Sequence, residues 1–263
     1  GKEIGITRIH LEEDTGKLLH KTIDGEKVSL VDFNRGGVPL VEVVTEPNIK
    51  TAAQAAECGR KLRNIIRYLD IGNCEMQQGG MRLEANISLS ETGDLPDYKV
   101  EVKNINSFKF MEQAIAFEIK RQTPLLNEGK NPTQETRGWD ANKQITFSQR
   151  TKESAEDYRY FPDPDIPPLQ FTKEQVEAWK KDLPTLPEQV ISDWKSKFKV
   201  EERYSQLLVS NIQTTALLES IFTAALKSEL KPNNIAKEII NKNIKFDKDS
   251  KTEKIIAAYQ KLH

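Results

Sequence analysis

Val38-Pro-Leu-Val-Glu-Val-Val-Thr-Glu-Pro-Asn48 is an apolar, valine-rich run interrupted by one carboxylate, Glu42. Valine-rich runs of this length form strands, and an apolar run of this kind predicts a buried one. Pro47 ends it, because proline lacks the N–H that a helix interior or a central strand requires. A carboxylate inside a buried strand is costly unless it is paired or bound to a cation. Glu42 is therefore either at the strand's solvated end or part of a site, and other carboxylates along the chain decide between the two.

Working outward, Ile4 to Leu11 reads as a strand running into an acidic turn, Glu12-Glu13-Asp14. Three acids at a strand end form a solvated loop or a metal-binding edge. Val28 to Phe33 is a second short strand, and Asn34-Arg-Gly-Gly37 is a turn with two glycines free to take positive φ. Thr51 to Tyr68 has apolar residues at helical spacing, Thr51 as cap, and Arg60, Lys61, Arg63 and Arg67 on the remaining surface. That basic surface is a solvated face or an RNA contact. Met81 to Leu89 alternates strictly, and Tyr98 to Lys103 alternates again after turn residues. The two predict an antiparallel hairpin whose polar face carries Arg82, Glu84, Asn86, Glu101 and Lys103. A solvent face has this composition, and so does a site for metal and phosphate.

Ser107 is placed to cap a helix from about Phe108 to Leu126. Gln134 to Arg137, Trp139 and Ile145 to Phe147 indicate further strand and loop, and the proline-rich stretch from Asp157 to Leu169 an extended loop or domain boundary. From Thr172 onward glycine vanishes, and helices are predicted over 172–181, 187–198, 201–212, 214–226, 232–242 and 252–262. The fold class is α+β, with a sheet domain over residues 1–170 and a helical domain over 171–263.

The 263 residues carry a net charge of −1, with 30% charged residues, which gives no global electrostatic footprint for nucleic acid. No apolar stretch approaches the ~20 residues of a membrane span. The two cysteines, Cys58 and Cys74, have neither CxxC spacing nor a histidine cluster beside them, which argues against zinc. The chain opens on Gly1 without an initiator methionine or a signal sequence, and an N-terminal truncation is expected.

Taken together and in order, Arg8-Ile-His-Leu-Glu-Glu-Asp14, Val31-Asp-Phe-Asn-Arg35, Pro39-Leu-Val-Glu42, Thr45-Glu-Pro47, Arg82 to Ser88, Glu101-Val-Lys-Asn-Ile-Asn-Ser-Phe108, Gln134-Glu-Thr-Arg137 and Asp157 to Leu169 resemble GatB, the second of the subunits of the tRNA-dependent amidotransferases. These matches span about the first two thirds of the chain. The resemblance implies an antiparallel-sheet cradle akin to glutamine synthetase, followed by a helical domain. It implies a carbon–nitrogen ligase with glutamine as amido donor, in which GatB is the kinase. ATP phosphorylates the side-chain carboxylate of Glu-tRNA(Gln) or Asp-tRNA(Asn), and ammonia from the amidase, GatA, displaces the phosphate. GatC is the expected small subunit. Mg²⁺ is the expected cofactor, its ligands falling on Glu12, Glu13, Glu42 and Glu101, with Glu42 and Glu101 catalytic. Arg82 and Lys103 are candidates for phosphate contact or for structural ion pairs.

The sequence departs from the family pattern at Leu83 and Glu84, where cysteine and aspartate are expected. The family's first strand, with its own Glu-x-His ligands, and its tail domain are not found. The archaeal paralogue carries an inserted domain for which the motif spacing leaves no room. A non-catalytic tRNA-binding or assembly subunit is the alternative function. A bacterial cytoplasm is the expected compartment, with the mitochondrial matrix as the other.

Overall fold

The computed structural model describes residues 3–151 and 167–263. The expected proline-rich boundary from Asp157 falls mostly outside the described residues. Two compact units are present, Gly1–Cys58 and Gly59–His263.

The first unit contains two antiparallel ribbons. β1 (Ile6–Glu13) pairs with β4 (Pro39–Thr45), and β2 (Lys17–Ile23) pairs with β3 (Glu26–Asp32). β2 is absent from the sequence reading, because Lys17-Leu-Leu-His-Lys-Thr-Ile23 does not alternate cleanly. The expected end of β1 at Leu11 is also corrected. Glu12 and Glu13 lie within the strand, paired with Leu40 and Pro39, and the turn begins at Asp14. The run around Glu42 does form a strand, but not a buried one: Val41 is 50% exposed and Leu11, across from it, is 77% exposed. A two-stranded ribbon lacks the covering layers that would bury both faces of a valine-rich strand.

α1 (Ala52–Tyr68) begins at Thr51, whose hydroxyl accepts from the Gln54 N–H at 3.2 Å. In the second unit, β5 (Leu83–Ile87), β6 (Val100–Ile105), β7 (Glu135–Asp140) and β8 (Ile145–Thr151) form one sheet in that order. The expected β5–β6 hairpin is present in antiparallel register. The sheet is nevertheless mixed, because β6 pairs parallel with β7. A parallel pair requires a crossover, and α2 (Phe108–Asn127) supplies it. Ser107 caps that helix by accepting from the Phe110 N–H at 3.0 Å.

The helical remainder comprises α3 (Lys173–Lys181), α4 (Pro187–Asp193), α5 (Glu202–Leu208), α6 (Ile212–Lys227), α7 (Pro232–Ile240) and α8 (Thr252–Leu262). One π turn, Trp194–Phe198, extends α4. The helix expected over 201–212 stops early, at Leu208. Asn211 instead caps α6, its side-chain oxygen accepting from the Thr214 N–H at 2.9 Å. The core of these helices gathers Val190, Trp194, Leu218, Phe222, Ile235 and Ile255.

Candidate functional site

In the first unit, strand alternation sorts the predicted carboxylates. The register places His10 opposite Glu42 and Glu12 opposite Leu40, so Glu12, His10 and Glu42 share one face of the ribbon. Glu13 is on the other face, with Leu11 and Val41. Arg8 donates from Nη2 to Glu42 Oε1 at 3.1 Å, an exposed ion pair. Glu42 therefore sits mid-strand on a solvated face with a cationic partner, rather than at a strand end.

The third acid of the triplet has a different environment. Asp14 is buried, and its Oδ2 meets Arg35 Nε at 3.2 Å, while its Oδ1 accepts from the Gly16 N–H at 3.1 Å. The Gly37 N–H donates to the Asp14 carbonyl at 2.8 Å. This ties the Asn34–Gly37 turn to the end of β1 and sets how β4 returns beside it.

In the second unit the β5–β8 sheet has two unlike faces. Val100 and Val102 face α2, as do Glu135 and Arg137 from the neighbouring strand. The opposite face carries Glu84 and Asn86 from β5, Glu101 and Lys103 from β6, and Thr136 and Gly138 from β7. Four of the five hairpin residues predicted to share a face thus lie on it. Arg82 is exposed immediately ahead of β5.

Glu101 is the buried carboxylate of that face, only 8% exposed. Its Oε2 accepts from the Thr136 hydroxyl at 2.8 Å, and its Oε1 lies 3.6 Å from Lys103 Nζ. Lys103 Nζ also lies 3.2 Å from Glu84 Oε1, so the ammonium stands between two carboxylates. Glu84, where the resemblance leads one to expect a shorter aspartate, reaches Lys103 with its extra methylene.

A bulge follows directly after Lys103. The β5–β6 register shifts between Leu83 and Ala85, and Asn104 takes φ +63°. Asparagine tolerates this left-handed conformation, and here its Nδ2 donates to the Trp139 carbonyl at 3.1 Å. The neighbouring strand accommodates the arrangement with Gly138, where a Cβ would lie 2.8 Å from the Phe147 ring and 2.7 Å from the Gln149 amide.

Beneath the sheet, on the α2 side, Glu118 is fully buried. Arg121 Nη2 donates to its Oε2 at 2.8 Å, as does Gln122 Nε2 at 2.8 Å, and the Thr146 hydroxyl donates to Oε1. Arg137 adds Nε at 3.2 Å and pairs through Nη1 with Glu135 at 2.6 Å. Burial pushes the Glu118 carboxyl upward, but these hydrogen bonds and the Arg121 charge outweigh it and hold it below the ordinary carboxylate range. Sequence reasoning singled out neither this network nor Thr136. Thr136 lies inside the Gln134–Arg137 motif, and the signal that marks it is the alternation of a period-2 strand, which sets it on the face opposite Glu135 and Arg137.

The basic face of α1 is engaged within the chain. Arg60 and Arg63 lie over the Phe108 ring, with guanidinium carbons 5.9 and 5.0 Å from its centre. Lys61 pairs with Glu188 at 2.6 Å, and Arg67 reaches Glu75 at 4.0 Å.

Among the described residues, no three His, Cys, Asp or Glu side chains gather closely enough to hold a metal ion. Glu12 and Glu42 share a face, Glu13 is turned away from them, and Glu101 belongs to the other unit.

Comparison with known proteins gives a consistent picture. The chain is similar to the B-type subunit of the aspartyl/glutamyl-tRNA(Asn/Gln) amidotransferase of Trichodesmium erythraeum, with 42% identity over 242 residues, covering 90% of this chain and 49% of the relative. Its counterpart in Rippkaea orientalis is 43% identical over 242 residues, covering 90% and 49%. That of Thermosipho melanesiensis is 41% identical over 249 residues, covering 94% and 52%. The chain thus spans about half the length of the curated relatives it matches. The GatB/GatE catalytic domain family matches residues 1–177, which include both candidate carboxylate faces. With that match over more than half its length, the chain belongs to the GatB/GatE catalytic domain family.

Proposed function

We propose that the protein to which this chain belongs is the ATP-dependent kinase subunit of a tRNA-dependent amidotransferase. It transfers the γ-phosphoryl group of ATP to the side-chain carboxylate of Glu-tRNA(Gln), Asp-tRNA(Asn) or both. Displacement of phosphate by ammonia from GatA then leaves the amide, with GatC as the third subunit. Residues 1–170 form the kinase cradle and residues 171–263 a helical domain, and the compartment is a bacterial cytoplasm.

The observation that carries this reading is the Glu101–Lys103 pair on the sheet face away from α2, within the region of the family match. Phosphoryl transfer asks the protein for positioning and charge stabilisation rather than for a covalent intermediate. Lys103, held between Glu84 and Glu101, is a fixed cation suited to phosphate oxygens, and exposed Arg82 is a second candidate. Glu42 and Glu101 are the proposed catalytic carboxylates. Glu12 and Glu42, which share a face of the ribbon, are the proposed magnesium ligands there, with Glu101 as another, whereas Glu13, on the opposite face of the same strand, is not placed to join Glu12 and Glu42.

The test is phosphate release from ATP by the full-length protein assembled with its amidase and small subunits, with and without Glu-tRNA(Gln). Turnover should require the charged tRNA, and Glu42→Gln should lower it by about a hundredfold or more, the scale set by losing one transition-state charge contact. Undiminished turnover in Glu42→Gln would remove Glu42 from the site. Tight tRNA binding with no ATP turnover in either protein would move the assignment to a tRNA-binding subunit.

A further inference from the structure

Thr136 occupies an unusual place for a threonine in a sheet. It is 2% exposed, and it lies on the face away from α2, beside Glu101 in the parallel register of β6 and β7. Valine has the same shape and suits a buried strand at least as well. What threonine adds is a hydroxyl, and that hydroxyl donates to Glu101 Oε2 at 2.8 Å. A glutamate side chain has three rotatable bonds and several staggered conformers. A hydrogen bond to an ionised acceptor is among the stronger ones, and it selects the conformer that leaves Oε1 on the Lys103 side.

The strand that presents Thr136 is itself held from behind. Its flanking residues Glu135 and Arg137 lie on the α2 face. Arg137 donates to the Thr146 hydroxyl at 2.8 Å through Nε and to the Thr146 carbonyl at 2.9 Å through Nη2, besides pairing with Glu135 and Glu118. A slip of β7 by one residue would carry Arg137 onto the Glu101 face and Thr136 away from it. The buried charges prevent that slip, because each would lose its partners.

We propose that Thr136 is a positioning residue: its hydroxyl fixes the Glu101 carboxylate beside Lys103 for phosphoryl transfer, and Arg137 fixes Thr136 in register. This rests on the reading of Glu101 as part of the kinase site. Thr136 takes no part in bond making, and it acts through the conformation of Glu101 alone.

The experiment uses the full-length protein in its assembled complex and measures Glu-tRNA(Gln)-dependent phosphate release for Thr136→Val, Thr136→Ser, Thr136→Ala and Glu101→Gln. Thr136→Val should lower kcat by about tenfold to a hundredfold, as misplacement of a reacting group does. KM for ATP and for the charged tRNA should stay within about twofold, and Thr136→Ser should restore kcat to within about twofold, since the positioning contact acts in the transition state. A crystal structure of Thr136→Val should show Glu101 in a changed conformer over an unchanged β6 backbone. Wild-type kcat in Thr136→Val with Glu101→Gln inactive overturns the inference and leaves the kinase reading standing. Full activity in Glu101→Gln overturns the reading on which it rests. If Thr136→Val does not fold, Thr136→Ala decides: lowered kcat with serine active supports the inference, and wild-type kcat overturns it.

Discussion

Glu118 shows how a single buried charge is made tolerable. It is fully enclosed, yet Arg121, Gln122, Thr146 and Arg137 all reach it. Removing one member of such a cluster leaves the remaining charges buried and unpaired. Glu118→Gln should therefore cost about 3 kcal/mol at neutral pH. The pH dependence has a definite sign. The folded-state pKa is depressed, so the stabilisation is fully present above the unfolded value of about 4.5 and is lost as pH falls through the lower folded value. Thermal melts of wild type and Glu118→Gln should accordingly differ most at neutral pH and converge on acidification below about 4.5. A gap that widened in acid would contradict the assignment. Glu42 is the contrasting case. Its partner Arg8 is exposed on the ribbon, and such pairs contribute about 0–1 kcal/mol. Glu42→Gln should thus leave the melting temperature almost unchanged, so that the roughly hundredfold loss of turnover proposed for it would mark a carboxylate kept for chemistry.

At the scale of the element, the bulge in β6 and the packing of α1 are the sensitive points. Asn104 combines a left-handed backbone with a hydrogen bond to Trp139, so both conformation and contact depend on it. Asn104→Val should cost about 1–2 kcal/mol from the backbone alone, whereas Asn104→Gly loses only the side-chain bond. Chemical denaturation of the two variants separates these contributions. Gly59 is the second point. A Cβ there would lie 2.9 Å from the Phe108 ring, so α1 and the start of α2 approach as closely as they do because this position has no side chain. Gly59→Val should destabilise the protein by about 1–3 kcal/mol through overpacking, read by the same denaturation. The element scale also explains where sequence patterning misleads. A valine-rich run predicts a covered strand, but β4 lies in a ribbon whose apolar face, with Leu11 and Val41, is exposed within its unit. Periodicity reports the strand, and the layers around it are a matter of tertiary structure.

On the scale of the whole molecule, the helices from α4 onward pack on one another. α6 lies against α7 and α8, and α5 against α4 and α7. Trp194 is the centre of this cluster, fully buried, 5.1 Å from the Phe222 ring centre and donating from Nε1 to Glu219 at 3.0 Å. Trp194→Ala should cost about 3–5 kcal/mol. Hydrogen exchange should show lost protection in α4 to α8, with β5–β8 unchanged, as expected if residues 171–263 form a domain of their own. Equal loss in the sheet would make the helices and sheet one cooperative body. No helix among the described residues is long and apolar enough to cross a membrane.

The amino-acid sequence by itself determined the strands that alternate, the capped helices, the antiparallel β5–β6 hairpin and the polar face shared by Glu84, Asn86, Glu101 and Lys103. These follow from local periods of two and 3.6 and from caps within one turn, which act between neighbours along the chain. The ordered motifs likewise carried the family, which the match over residues 1–177 bears out. Only the tertiary structure decided that Glu101 is buried against Thr136, 35 residues away, and that β7 joins β6 in parallel. It also decided that Glu12 and Glu13, adjacent in sequence, belong to opposite faces of one strand. The physical reason is that burial, register and hydrogen-bond partners depend on which segments meet across the sheet, and no local period encodes the identity of a distant neighbour.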